Sequence, residues 1–228
     1  GTLGKAGLLD TELLLLSAFL LPYHGWENKN AKKVKEARVV FSMLANGIKY
    51  PHREAEQIDT ICQHCFEIRE FVKILKNSGK SPEEGGSSSR IVTPEEARAG
   101  AGGELAEMRL EVGLIVLKMK DLWPASLLLA RIAEEVFQER GVEEGVPEAE
   151  GLDSADFEKF ESFVKESGLS EAWMLPKLLD GKEIMKSFGV KGSQVGELMD
   201  AQKQWQVLNP GGTKDQAESY LKNRLLDN

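Results

Sequence analysis

Three consecutive residues near the C-terminus, Lys191-Gly192-Ser193, have the types expected of a phosphate-binding turn. A tight turn before a helix exposes backbone N–H groups at the helix start, where the helix dipole also favours an anion. Gly192 lets a ligand approach the backbone, and Lys182 and Lys186 add positive charge just before it. We therefore predict that Lys182, Lys186, Lys191, Gly192 and Ser193 bind phosphate groups. The alternative is an ordinary helical hairpin with solvated lysines, because glycine turns are common at helix ends.

A second group of cations lies in the N-terminal part of the chain and consists of Lys29, Lys32, Lys33 and Lys35. We predict that they occupy the first turns of a helix that runs from Lys29 to Tyr50. Cations at a helix N-terminus oppose the dipole, which favours an external anion such as a phosphate backbone as the reason for them. A solvated helix face is the alternative.

The segment Cys62-Gln63-His64-Cys65 has the spacing of a metal or redox motif. A structural zinc site needs four ligands, and the chain has only two cysteines. The spacing of three also places both thiols on the helix face that carries Ile58 and Ile61. We therefore interpret the cysteines as core residues and predict no metal site.

The elements that position these residues are predicted to be helices throughout, because apolar residues recur with helical period and no stretch alternates as a strand does. The fold class is therefore predicted to be all-α, a multi-helix body followed by a small helical tail. Helices are predicted from Asp10 or Thr11 through Leu21, from Lys29 to Tyr50, from Pro51 past Leu75, from Glu104 past Met119, from Pro124 to about Arg140, and from Asp156 to Glu166. The first of these is apolar on nearly all faces, so we expect it to be central.

Three short helices are predicted in the tail. Asp180-Gly181 opens the first, and Gly189 ends it in the left-handed conformation. Ser193 is the predicted N-cap of the second, which ends at Asn209-Pro210. Thr213 to Gln216 has the pattern of a capping box that opens the third, with Ala217, Tyr220 and Leu221 on its buried face.

The domain organisation follows from composition. Residues 1–76 and 104–167 are predicted to form a helical body, and residues 168–228 a helical tail. Between the two body segments, residues 77–103 are rich in Ser, Gly, Pro and Glu, which predicts a flexible insertion with a short helical turn at Pro94.

Charge and hydropathy restrict the class of protein. The net charge of −8 argues against a generally basic nucleic-acid protein, but the charge is uneven. Residues 143–161 carry eight acids against one lysine, whereas residues 1–80 carry twelve basic residues against nine acidic ones. Leu13 to Leu21 is too short to span a bilayer, and two cysteines favour a reducing, intracellular location. The first residue is glycine, so we expect a piece excised from a longer protein.

The tail also carries a family resemblance, which covers about a quarter of the chain. It rests on three strings, which are Trp173…Pro176-Lys-Leu-Leu-Asp180-Gly181-Lys-Glu-Ile, Phe188-Gly189-Val-Lys-Gly192-Ser-Gln-Val-Gly196 and Trp205-Gln206…Asn209-Pro210-Gly-Gly-Thr213. In this order they resemble the C-terminal part of class II tRNA nucleotidyltransferases, the CCA-adding enzymes and their bacterial poly(A) polymerase relatives.

The resemblance implies a body and tail that hold the acceptor and T-arm of tRNA. It implies a monomer that binds neither DNA nor a membrane and is located in the cytoplasm, the mitochondrion or the nucleus. The parent enzyme would add C, C and A to the tRNA 3′ end, using Mg²⁺ and CTP or ATP in an N-terminal head.

No part of this sequence matches that head. Its Gly-Gly-x-x-Arg-Asp turn and Asp-x-Asp pair are missing, and Glu95-Glu96, Glu134-Glu135 and Glu143-Glu144 are adjacent residues whose carboxylates point apart. We therefore predict no catalytic residue, no cofactor and no activity for this chain alone. The other hypotheses are a poly(A) polymerase relative and a non-enzymatic helical adaptor that binds proteins.

Overall fold

The computed structural model describes residues 6–27, 38–78, 91–100, 103–139 and 151–226. Within these ranges the only strand-like pairing is an isolated antiparallel bridge between Glu27 and Arg38. The prediction of an all-α fold is confirmed. The α-helices are α1 (Ala6–Leu20), α2 (Val39–Ser42), α3 (His52–Ser78), α4 (Pro94–Arg98), α5 (Glu104–Met119), α6 (Trp123–Glu139), α7 (Ser154–Glu166), α8 (Gly181–Phe188), α9 (Ser193–Leu208) and α10 (Lys214–Leu226). Shorter helical segments are Leu21–Tyr23, Lys120–Leu122 and Ala172–Met174, which are 3-10 helices, and Met43–Gly47, a π-helix.

The chain divides into two compact units. The first contains Gly1–Gly79 and Met119–Glu161, and the second contains Lys80–Lys118 and Ser162–Asn228. The division into a body, an insertion and a tail remains a prediction. Of the described helices, none is long and apolar enough to cross a membrane.

The core of the first unit is built around α3, which packs against α6 and α1. The helical spacing of apolar residues along α3 predicts a buried stripe. The prediction is confirmed, because all of its members are buried: Ile58, Ile61, Cys62, Cys65, Ile68, Val72 and Leu75. Asp59 lies on the same helix and is only 4% exposed. Its Oδ2 lies 2.5 Å from Nη1 of Arg38, so the buried carboxylate has a counter-ion.

The first predicted helix is not central. One face of α1 is buried through Leu13, Ser17 and Leu20, whereas Leu15 is 65% and Phe19 is 72% exposed. The hydroxyl of Ser17 donates to the carbonyl of Leu13 at 2.6 Å, which satisfies it within the helix. An all-apolar helix was expected to be covered on all sides, but in the first unit α1 packs on α3 and α6 with one face.

The helix predicted from Lys29 to Tyr50 is not continuous. Arg38 is extended (φ −73°, ψ 121°), and the amide of Val39 donates to the carbonyl of Trp26 at 3.1 Å. The helical spacing of Phe41, Leu44 and Ile48 predicts that they share a buried side, and Phe41 and Leu44 are buried. The helix that contains them therefore starts at Val39. It ends in a π-turn that leaves Ile48 69% exposed, which corrects its predicted place on the buried side.

The helix α6 is buried on one side only. Leu127 and Ala130 are buried, but Leu128 is 44% and Val136 is 39% exposed. The apolar residues of the sequence from Leu127 to Val136 predict a mostly buried helix, and this prediction is wrong for Leu128 and Val136.

The second unit is organised around α9, which packs against α8, α10 and α4. Its cluster of buried residues consists of Leu179, Ile184, Val190, Leu198, Ala201, Trp205, Ala217, Tyr220 and Leu221. The C-terminal end of α9 is capped by Arg109 of α5, whose Nε donates to the carbonyl of Val207 at 2.8 Å. This contact satisfies one of the carbonyls that a helix leaves unpaired at its end.

The described part of the predicted insertion is residues 77–78, 91–100 and 103, and it includes α4. The hydroxyl of Thr93 accepts from the Glu96 amide at 3.2 Å, and the Glu96 carboxylate accepts from the Thr93 amide at 2.9 Å. This capping box explains why a helix of five residues forms there.

Candidate nucleic-acid interface

The helix α8 positions two of the predicted phosphate-binding lysines. Asp180 is its N-cap and accepts from the amides of Lys182 and Glu183 at 2.7 and 2.8 Å. Glu183 completes a capping box by accepting from the Asp180 amide at 2.8 Å. Lys182 and Lys186 are exposed on this helix of eight residues, whose N-terminus is stabilised by the capping box.

Gly189 ends α8 in the left-handed conformation, as the sequence predicts. Its φ is 69°, and its amide donates to the carbonyl of Met185 at 3.0 Å. The next residue, Val190, is 8% exposed and belongs to the core cluster of the second unit. The buried valine therefore fixes the chain just before Lys191, which is exposed.

Ser193 is not the N-cap of α9. Gly192 occupies that position with φ 64° and ψ −130°, and Ser193 is the first helical residue. A residue with a Cβ is strained at such a φ, so the glycine is required for the turn itself. Because glycine has no side chain, it cannot cap the first amides of the 16-residue helix, as a serine at that position would.

The exposed residues Lys191, Gly192 and Ser193 therefore lie at a helix start whose N-cap offers no side-chain acceptor. Ile184 of α8 and Leu198 of α9, which are 0% and 4% exposed, belong to the same core cluster. They hold α8 and α9 against each other, so the turn is part of a packed hairpin. Such an arrangement can bind a phosphate through backbone N–H groups and an adjacent cation.

The lysines of the second unit differ in their charge partners. Lys214 is ion-paired with Glu183, and Lys203 lies 2.9 Å from a carboxylate oxygen of Asp200. Among the described residues, no carboxylate forms an ion pair with the exposed Lys182, Lys186 or Lys191. The charge of Lys186 and Lys191 thus remains available to an anion from outside the chain, whereas Lys182 also interacts electrostatically with Asp180.

The other predicted cations, Lys29, Lys32, Lys33 and Lys35, lie outside the described residues. The described residues on either side of this segment, Glu27 and Arg38, form the isolated antiparallel bridge.

The cysteine pair is confirmed as part of the core. Cys62 is 0% and Cys65 is 1% exposed, and burial raises the pKa of each thiol to about 12. The Cys62 thiol donates to the carbonyl of Ser17 at 3.3 Å, and the Cys65 thiol donates to that of Cys62 at 3.2 Å. Within the described ranges, no group of three or more His, Cys, Asp or Glu residues is placed to hold a metal ion.

The sequence did not predict the role of three amide side chains on and after α9. Gln202 bonds to the amide of Leu179 at 3.0 Å and to its carbonyl at 3.3 Å, and Gln206 donates to the carbonyl of Pro176 at 2.9 Å. Asn209 bonds in the same way to Val92. They fix the segment before α8 and the segment before α4, and no local pattern signals such distant partners.

A stretch of 68 residues is 37% identical to the tRNA nucleotidyltransferase cca2 of Schizosaccharomyces pombe. This is a partial likeness to a tRNA nucleotidyltransferase. It covers 29% of this chain and 14% of the length of that protein. No protein-family model matches the chain, and no solved structure matches it.

Proposed function

We propose that this chain is the tRNA-binding C-terminal part of a CCA-adding tRNA nucleotidyltransferase. In this proposal it holds the acceptor and T-arm so that a separate head adds C, C and A to the 3′ end. The observation that carries the proposal is the 37% identity over 68 residues to a tRNA nucleotidyltransferase. The head would supply Mg²⁺ and the CTP or ATP site.

The exposed lysines around the turn Lys191-Gly192-Ser193 support this proposal physically. Lys182, Lys186 and Lys191 are exposed and free of ion pairs among the described residues, and Gly192 opens a long helix without a side-chain cap. Lysine supplies positive charge without directional demands, and helix-start amides bind phosphate oxygens. Contacts of this kind fix the position of an RNA without recognising its bases. An enzyme that must accept every tRNA needs that property.

The test is the salt dependence of tRNA binding. Wild-type protein and Lys191→Glu are titrated with two unrelated tRNA transcripts at several salt concentrations. We expect Lys191→Glu to weaken both complexes about equally and to reduce the slope of log K against log salt by about one unit. Lys203→Glu is the matched control, because it reverses the charge of a lysine on α9 that Asp200 already neutralises.

If Lys191→Glu keeps its helix content and shows unchanged tRNA affinity and salt slope, the turn does not bind phosphate. A wild-type protein that binds neither tRNA would overturn the whole proposal.

A second candidate function is a non-enzymatic adaptor, which the exposed Leu15 and Phe19 on α1 favour. An apolar contact with a protein is insensitive to salt, whereas binding to a polyanion weakens steeply. The salt series therefore separates the two functions.

The proposal also implies that the chain alone adds no nucleotide to tRNA. Incubation with a tRNA that lacks its 3′ CCA and with labelled CTP and ATP measures this. Addition of even one nucleotide at a steady rate would contradict the prediction that this chain has no catalytic site.

A further inference from the structure

A cavity of about 340 Å³ lies in the second unit, beside α10. Its walls include Ile91 from the segment before α4, Trp205 from α9, and Asp215, Tyr220 and Asn223 from α10. The volume is at the lower end of the range for small-molecule pockets. It suits a ligand of the size of a single ring system.

Trp205, one of the lining residues, carries a buried polar atom without a partner. The residue is 0% exposed, and its indole Nε1–H has no hydrogen-bond acceptor in the described chain. Buried donors are nearly always paired, because the loss of water is otherwise not compensated. An acceptor atom on a ligand beside the same indole would supply the missing partner.

The two ends of the indole have different surroundings. A Cβ atom added to Gly212 would lie 2.6 Å from Cζ3 of Trp205, so the glycine turn closes over the six-membered ring. The nitrogen belongs to the other ring of the indole. Tyr220 stacks on Trp205 with ring centroids 6.3 Å apart and an interplanar angle of 18°, which fixes the plane of the indole.

The remaining wall offers acceptors and apolar surface but no cation. None of the described residues that line the cavity is Lys or Arg, and the one charged residue is Asp215. A phosphate group is therefore disfavoured inside it. The Asp215 carboxylate accepts hydrogen bonds, the Asn223 amide both donates and accepts, and Ile91 contributes an apolar side chain that is 40% exposed.

These features together call for a neutral, planar ligand that carries both acceptors and donors on its edge. We propose that the cavity binds a nucleobase, which accepts from Trp205 Nε1–H and donates from an exocyclic amino group to the Asp215 carboxylate. Its sugar and phosphates remain outside. The base comes either from an unpaired nucleotide of tRNA, in which case the inference rests on the proposed function, or from a free nucleoside.

Because Trp205 is 0% exposed, its Nε1–H is reached only when the wall opens, so entry of the base requires the wall to adjust. Ser219 and Asn223 are exposed on α10, and exposed side chains change rotamer within nanoseconds. Ser219 also gives a way to close the cavity, because a large side chain there would occupy it from an exposed helical position.

The direct test follows the indole N–H signals of ¹⁵N-labelled protein by NMR during titration with adenosine, guanosine, cytidine and uridine. The Trp205 signal is assigned through its contact with the Tyr220 ring. We expect a saturable downfield shift of Trp205 Nε1–H while the signals of Trp123 and Trp173 stay in place. N6,N6-dimethyladenosine, which cannot donate to Asp215, should bind at least about ten-fold more weakly than adenosine.

Ser219→Phe should abolish the shift, whereas the matched change Ser162→Phe, at an exposed position of α7, should leave it intact. Circular dichroism confirms that both variants are folded. No saturable shift with any of the four nucleosides overturns the proposal, and so does a shift that persists in Ser219→Phe. Equal binding of adenosine and its dimethyl analogue overturns the role of Asp215.

A tRNA titration of Ser219→Phe identifies the source of the base. Weaker tRNA binding with an unchanged salt slope assigns the base to tRNA, and unchanged tRNA affinity assigns it to a free nucleoside. The nucleoside titration contains no RNA, so its failure is distinct from failure of the proposed tRNA binding.

Discussion

The side-chain amide of Asn209 makes both backbone hydrogen bonds of Val92, which lies 117 residues earlier in the chain. The Val92 amide donates to Asn209 Oδ1 at 3.1 Å, and Asn209 Nδ2 donates to the Val92 carbonyl at 2.7 Å. Nδ2 also donates to the carbonyl of Trp205 at 2.9 Å. One residue at the end of α9 thus holds the segment that precedes α4. That segment, through Ile91, forms one wall of the nucleobase cavity.

Replacing Asn209 by Asp should destabilise the second unit. The aspartate has nearly the same shape but places a carboxylate oxygen against the carbonyls of Val92 and Trp205, where a donor is needed. We expect a loss of about 1–3 kcal/mol in the free energy of unfolding, measured with urea. Asn46→Asp, at an exposed position in the first unit, is the matched control and should change stability by less than about 0.5 kcal/mol. Equal effects of the two changes would contradict the role of the amide.

The two glycines after Pro210 should respond differently to alanine. A Cβ on Gly212 would lie 2.6 Å from Cζ3 of Trp205 and 3.0 Å from the carbonyl oxygen of Asn209, whereas a Cβ on Gly211 meets nothing within 4 Å. Gly212→Ala should therefore lower the unfolding free energy by about 1–3 kcal/mol. Gly211→Ala should have little effect. Thermal unfolding of both variants measures the difference, and comparable losses would show that the turn tolerates no side chain for another reason.

The capping box of α8 should make the second unit sensitive to acid. Hydrogen bonds from the amides of Glu183 and Lys182 lower the pKa of Asp180, and the hydrogen bond from Lys214 lowers the pKa of Glu183. A carboxyl whose pKa is lower in the folded state contributes stability above its unfolded pKa, and this is lost as the pH falls through the folded value. Stability should thus decline as the pH falls below the ordinary values of 4.5 for Glu183 and 3.8 for Asp180.

Asp180→Asn isolates the contribution of Asp180. Asparagine is an equally good N-cap but does not titrate. The variant should match wild type at pH 7 and lose less stability than wild type between pH 7 and pH 3, as measured by the urea midpoint. An identical pH dependence of the two proteins would rule out Asp180 as a source of the acid sensitivity.

The buried thiols should be unreactive in the folded protein. Burial raises the pKa of Cys62 and of Cys65 to about 12, so almost no thiolate is present at pH 8. Ellman's reagent should label neither cysteine in native buffer and both in urea. Cys62→Ser should cost on the order of 1–3 kcal/mol, near the lower end because the Ser17 carbonyl can accept from the new hydroxyl. Fast labelling of the folded protein, or stoichiometric zinc after purification, would contradict the core assignment.

The sequence predicted those elements whose signals are local. The buried stripe of α3, the left-handed Gly189 and the capping box of Thr213 and Gln216 depend on residues three or four apart, and each is found. The helix predicted from Lys29 to Tyr50 is interrupted at Arg38, because Arg38 forms a bridge with Glu27. Helical periodicity gives no sign of such a pairing.

The candidate site was predicted in part. The exposed lysines and the turn lie in a helical hairpin, as expected, but Gly192 and not Ser193 is the N-cap. Both residues are acceptable N-caps by type, and the choice depends on which of them must adopt positive φ. The cavity beside Trp205 could not be predicted, because Ile91 and Asp215 come together only through the fold.

The amide side chains of Gln202, Gln206 and Asn209 limit how this unit can vary in evolution. Gln202 and Asn209 each use their oxygen and their nitrogen at the same time, so neither glutamate nor aspartate can replace them. An apolar core position usually accepts several residues of similar volume. In a library of all single substitutions, these polar positions should accept fewer residues than Leu198 or Leu221, which are buried beside them.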